Sequence, residues 1–190
     1  MKFKEQIINY VPENEQEMND KRVILDYINH FPSNILLREN EFAHITSSSL
    51  ILNSTCDKVL MIHHNIYNTW TWTGGHADGD TDLLYVALKE AKEETGILNP
   101  KPLINEIASI DILPVFGHIK RGKYVCAHLH LNAAYILIAE EYEMLKVNEA
   151  ETSGVSWIDI DKLSEYSNEP EIIYVYEKLI KKGKMLLNNK

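Results

Sequence analysis

Glu90, Glu93 and Glu94 stand together in the stretch "ALKEAKEETGI", with Lys89 and Lys92 close by. On a helix turning about 100° per residue, with Glu90 at zero, Glu94 falls at about +40° and Glu93 at about −60°. The three carboxylates share one arc. Leu83, Leu84, Val86, Ala87, Leu88 and Ala91 span about −40° to +160° on the same wheel. The acidic arc therefore overlaps one margin of the apolar face. A solvated charge run with a Lys89–Glu93 pair is the plainer alternative, but the lean toward the core counts against it. Like charges held there repel strongly unless something positive lies between them. Clustered carboxylate oxygens suit a hard divalent cation, and Mg²⁺ also takes substrate phosphates as ligands.

Upstream, Gly74 and Gly75 let the backbone turn sharply and approach closely, which can aim a main-chain carbonyl at the same cation. Asp78, Asp80 and Asp82 suggest a calcium loop, but its sixth and twelfth positions would be Leu83 and Lys89 instead of glycine and glutamate, so that motif is rejected. "CAHLHLN" alternates: Cys126, His128, His130 and Asn132 fall on one side of a strand, Ala127, Leu129, Leu131 and Ala133 on the other. The first side reads as a polar pocket lining in which His128 and His130 hydrogen-bond phosphate or base, against the alternative of ordinary half-exposed positions. His118, His128, His130 and Cys126 match no standard zinc spacing. "IKRGK" holds Lys120, Arg121 and Lys123. Arg121 can clamp a phosphate through its planar fork; a charged hairpin turn is the competing reading. Tyr67, Trp70 and Trp72 offer rings for a nucleobase, although a tryptophan on a central strand is more often core.

The elements that must position these groups are legible in outline. Residues 1 to about 35 read as helical, with Val23, Ile24, Tyr27, Ile28 and Phe31 at helical spacing and Pro32 as the break. "FAHITSSSLIL", "KVLMIHH" and "TWTWT" read as strands. A helix is expected over Thr81–Thr95. Two long strands follow, "PLINEIASIDILPVFGHI" and "KYVCAHLHLNAAYILIA", then a short one, "SGVSWIDI". The last helix has Asn168 as cap, Pro170 in its first turn, Glu171 completing the box, and an end near Gly183. A mixed sheet held between helices is the expected architecture.

The 190 residues suit one domain, here a helical extension over 1–38 and a main domain over 39–190. Lys+Arg number 19 against 28 Asp+Glu, a net charge of −9 without a basic stripe, which argues against a nucleic-acid partner. No apolar run is long enough for a membrane span, and the N-terminus lacks the apolar core of a signal peptide. Two scattered cysteines, Cys56 and Cys126, fit a reducing compartment. A cytoplasmic location is expected. The helical N-terminus makes a homodimer reasonable.

The stretch Gly75–Ile97 resembles the Nudix box, G-x5-E-x7-R-E-U-x-E-E-x-G-U with U a bulky aliphatic. Gly75, Glu90, Glu93, Glu94, Gly96 and Ile97 match without insertion. Thr81 stands where the first glutamate belongs, Lys89 replaces the arginine, and Ala91 is smaller than the usual aliphatic. The resemblance implies an α/β (α+β) fold, a Nudix-like α/β/α sandwich with a mixed β-sheet. It also implies a hydrolase that cleaves a phosphoanhydride in a small-molecule nucleoside diphosphate derivative. Carried over by position, Gly75 (through its carbonyl), Glu90, Glu93 and Glu94 would ligate Mg²⁺ or Mn²⁺, and Glu90 and Glu93 would serve catalysis. A last acidic group from outside the box would be Glu149 or Glu151, against the alternative of a solvated loop. Because lysine cannot copy the arginine fork, a ligand-binding regulator that has lost the chemistry is the rival expectation. An isopentenyl diphosphate isomerase ranks last for want of a catalytic cysteine motif.

Overall fold

The computed structural model describes residues 2–120 and 122–188. Two helices open the chain, α1 (Lys2–Asn9) and α2 (Glu15–His30). The sequence suggested continuous helix here. Instead the chain breaks before Asn14, whose side chain accepts the Glu17 N–H at 2.9 Å and so caps α2. Of the spaced apolar positions, Ile24 and Ile28 are buried, while Val23 and Phe31 are exposed.

The sheet runs β10-β2-β1-β9-β5, with β3 added to β2, β4 to β1 and β6 to β9. Its strands are β1 (Ala43–Leu52), β2 (Lys58–His64), β3 (Thr69–Thr71), β4 (Thr73–His76), β5 (Lys101–Pro102), β6 (Ser109–Val115), β9 (His128–Ile138) and β10 (Thr152–Asp159). A separate hairpin pairs β7 (His118–Lys120) with β8 (Lys123–Val125). Among the described residues only the central pair, β1 with β9, is parallel. β1 is buried throughout and β9 from Leu131 to Leu137, as expected of strands covered on two faces.

One sheet face carries Ile45, Leu131, Ala133 and Tyr135, which pack with Phe3, Ile7, Ile24 and Ile28 of the first two helices and with Leu83 and Ala87 of α3 (Leu83–Thr95). The opposite face carries Leu50, Leu52, Ala134 and Ile136. These pack with Ile172, Val175, Tyr176 and Leu179 of α5 (Pro170–Asn188), which follows the short α4 (Leu163–Tyr166). The mixed sheet between helical layers is the expected sandwich.

Several boundaries differ from the sequence reading. "TWTWT" is divided between β3 on β2 and β4 on β1. Trp72, next to the division, is buried against Tyr176 with ring centroids 5.4 Å apart. The two long strands break into β5, β6 and β7, and into β8 and β9. The helix starts at Leu83, with the Asp82 side chain accepting the Tyr85 N–H at 3.2 Å. At the other end the first α5 hydrogen bond runs from Ile173 N–H to Glu169 O at 3.0 Å. Asn168 is therefore not the cap, and its own N–H donates to Thr69 Oγ1 at 3.0 Å. Nor does Gly183 end α5. It is buried mid-helix, where a Cβ would come within 2.6 Å of Leu52 Cδ1, so glycine serves helix–sheet contact.

A buried charge cluster joins the outer layers. Lys178 of α5 meets Glu17 of α2 at 2.9 Å and also Asp111 of β6, while Lys182 meets Glu13 at 2.7 Å. Burial pushes the Glu17 carboxyl up, but the Glu13 N–H, Tyr10 and Lys178 hold it below its ordinary value. Burial pushes Asp111 up in spite of Lys178.

Candidate active site

The second face is only half covered by α5. In its other half, His44, Thr46 and Ser48 of β1 and His128, His130 and Asn132 of β9 line a cavity of about 500 Å³. Strand register brings them together. The parallel pair sets His44 beside His130 and Thr46 beside Asn132, and β4 adds His76 opposite Thr46. The Asn132 amide oxygen accepts from Thr46 Oγ1 at 3.1 Å and Ser48 Oγ at 2.9 Å. The alternation read in "CAHLHLN" holds, since Cys126, His128, His130 and Asn132 all line the cavity.

The acidic wall is built along β4, which pairs with β1 alone. The Gly74 N–H donates to Glu94 Oε2 at 3.0 Å. Neither Gly74 nor Gly75 has a positive φ, so they make no sharp turn. What they provide is clearance. A Cβ on Gly75 would stand 2.6 Å from Glu90 Cδ, and one on Gly74 would stand 2.4 Å from Ser48 Oγ. The positive-φ glycines of the box stretch are Gly79, in the turn after β4, and Gly96, left-handed at φ +79, which ends α3 with its N–H on Lys92 O at 3.0 Å.

Glu94 is 5% exposed. Burial, with repulsion from Glu90, Glu151 and Glu93, pushes its carboxyl up to about 8 against the pull of the Gly74 N–H. Glu90 is also raised, chiefly by burial, against the pull of Lys89. A buried Glu94 beside a half-buried Glu90, with Lys89 the cation in contact with Glu90, is a donor set that a hard divalent cation fits. Glu93 is placed differently. Its side chain is 55% exposed, it lies outside the cavity lining, and Lys89 Nζ stands 3.8 Å from it and 3.3 Å from Glu90.

Cations and rings complete the surround. Arg38 grips Asp78 through two bonds, of 2.8 and 2.6 Å. Lys120 stands 3.7 Å from Glu151. Tyr67, Phe116 and Tyr124 also line the cavity. Of the two loop acids, Glu151 belongs to the lining and Glu149 does not. Arg121 lies outside the described residues, although its neighbour Lys120 reaches the cavity. Trp70 is half-buried against the core beneath α5. His118 does not join a histidine cluster. His128 and His130 instead meet His44 and His76, their ligand atoms all within 4.8 Å of one another. Burial, with repulsion from neighbouring cations and imidazoles, lowers His76 to about 3 and lowers His44 and His130, so these rings are neutral near pH 7. Arg38 and His44 were not singled out in the sequence. A signal for His44 exists in "AHITSSS", where His44, Thr46 and Ser48 alternate as the β9 residues do.

A sequence profile of the NUDIX domain matches residues 43–179, and the chain belongs to that family. Solved structures of low identity share the fold. The E. coli dihydroneopterin triphosphate pyrophosphohydrolase is similar with a TM-score of 0.55 at 15% identity, over 72% of this chain and 94% of that one. A hydrolase of the NUDIX family from Clostridium perfringens gives 0.51 at 22% identity, over 72% and 95%. The MutT protein from Methanosarcina mazei Go1 gives 0.50 at 18% identity, over 80% and 98%. No curated protein matches the chain. Among the described residues no helix is long and apolar enough to cross a membrane.

Proposed function

We propose that the protein is a divalent-metal-dependent NUDIX hydrolase that cleaves a phosphoanhydride in a nucleoside diphosphate-linked substrate. The observation that carries this reading is the pair Glu90 and Glu94, one helical turn apart in the cavity wall, Glu94 buried and Glu90 half-buried. Glu90, Glu94 and the Gly75 carbonyl would hold Mg²⁺ or Mn²⁺, with Glu93 as the outermost carboxylate. The cation would supply charge against the phosphoryl oxygens and acidify water at the site. The Gly74 N–H fixes Glu94 by its hydrogen bond. Glu90, less buried than Glu94, would be the carboxylate that takes a proton from the attacking water. Lys120, beside the cavity, supplies charge for phosphate, and Tyr67, Phe116 and Tyr124 supply ring faces for a base.

The test is release of phosphate and pyrophosphate across a panel of nucleoside diphosphate derivatives, with Mg²⁺ and with Mn²⁺. Metal-dependent turnover is expected in the wild type, with a loss of about 10²–10⁴-fold in Glu90→Gln and a comparable fall in Glu94→Gln. Turnover indifferent to both substitutions would refute the assignment. Lys89, already within 3.3 Å of Glu90, motivates the rival, a regulator that binds such ligands without cleaving them. Ligand-induced thermal stabilisation with no turnover would select it.

A further inference from the structure

We propose that His44, His76, His128 and His130 form a closed binding site for one late first-row divalent transition-metal ion, of which Zn²⁺ is the reference case, separate from the oxygen donors of Glu90 and Glu94. Imidazole nitrogens suit Zn²⁺, Cu²⁺ and Ni²⁺, whereas Mg²⁺ prefers oxygen. Four protein ligands make a structural site, with no open position of the kind a catalytic metal keeps.

Three observations carry this. First, the Nε2 atom of His44 is buried without a hydrogen-bond partner among the described residues, in a side chain of a residue 3% exposed. A buried orphan of this kind needs an explanation. Second, Zn–N bonds of about 2.0–2.1 Å at tetrahedral angles put neighbouring nitrogens about 3.3 Å apart. His128 Nε2 and His130 Nε2 are 3.3 Å apart, and the ligand atoms of all four residues lie within 4.8 Å of one another. Third, the outer contacts are those a metal-bound imidazole makes. Nδ1 of His44 lies 2.9 Å from Asn40 O, and Nδ1 of His128 lies 2.8 Å from Cys126 O. Each Nδ1 donates to its carbonyl, which fixes the tautomer and leaves Nε2 with its lone pair toward the cluster.

The alternative is a hydrogen-bonded stack. A His128–His130 hydrogen bond and ring contacts at 4.8–5.3 Å between centroids account for those rings but leave His44 Nε2 unsatisfied. The ligands come from β1, β4 and β9. An ion there would tie the central parallel pair to the strand that carries the glycines, whether or not the protein hydrolyses anything.

The experiment uses the full chain stripped with a chelator, then titrated with Co²⁺ as a spectroscopic stand-in and with Zn²⁺. One equivalent of Co²⁺ should produce the intense visible bands of a tetrahedral site, which millimolar Mg²⁺ does not remove. Zn²⁺ at about 100 times its Kd should raise Tm by about 5–10 °C. Glu90→Gln should retain both signals, and His44→Ala and His128→Ala should lose them. His128 is only partly buried, so its alanine variant is the one expected to fold, with circular dichroism as the check. Absence of the bands in the wild type, their loss to Mg²⁺, or their survival in His128→Ala would overturn the proposal and leave a stack of hydrogen-bonded rings.

Discussion

Glycine at position 75 matters for what it leaves empty. A methyl group there would meet the far end of the Glu90 side chain, which can swing aside without moving backbone. Gly75→Ala should therefore leave stability within about 1 kcal/mol, while a carboxylate displaced by about 1 Å can cost about 10²-fold in kcat. At Gly74 the added methyl would meet Ser48 Oγ at 2.4 Å and the Ser47 carbonyl at 3.0 Å. That contact is with strand backbone, and Gly74→Ala should cost about 1–3 kcal/mol of stability. Urea denaturation beside turnover separates the two variants; equal stability losses would refute the distinction. The glutamates could be read from the sequence because one helix carries them at fixed angles. Likewise the alternation in "CAHLHLN" placed His128 and His130 on one side. The same alternation in "AHITSSS" could have grouped His44 with Thr46 and Ser48, whereas Arg38, in the loop before β1, carries no such pattern, and its place in the cavity depends on distant segments.

Short elements were misjudged where tertiary contact overrides local pattern. The run "TWTWT" alternates as one strand does, yet β3 and β4 serve different neighbours. Gly183 has the look of a helix stop, but the contact with Leu52 gives it another purpose. The clamp among α2, β6 and α5 was also hidden, since nothing local relates Glu17 to Lys178. It supports a prediction on acid stability. Glu17 is held below its ordinary value of 4.5, so the stability it contributes is present above that value and is lost as pH falls through its lower folded value. Asp111, raised by burial, acts in the opposite sense in both wild type and variant. Glu17→Gln should thus cost about 1–3 kcal/mol at pH 7, and the gap from wild type should narrow below pH 4.5. Denaturation curves at pH 7, 4 and 3 check this. A gap that widens toward acid would contradict the sign.

The molecule as a whole is organised around the parallel pair β1–β9. β1 and β9 form the centre of the sheet, contribute to the core on both faces, and set the floor of the cavity with residues 86 apart in sequence. That separation bears on how the protein reaches its native state. Helices and the β7–β8 hairpin close over short loops, whereas the cavity floor must wait for a distant encounter, and chains rich in such contacts refold in milliseconds to seconds. In a variant with Trp70→Phe and Trp157→Phe, stopped-flow dilution from urea should show helical circular dichroism returning ahead of the fluorescence of Trp72, which packs on Tyr176 of α5 and reports docking of that helix on the sheet. Coincident recovery of both signals within a millisecond would rule this order out. During that delay Glu90 and Glu94 already stand together on α3, but the four histidines of β1, β4 and β9 have not joined them, and the chain has a helical framework before it has a place for a ligand.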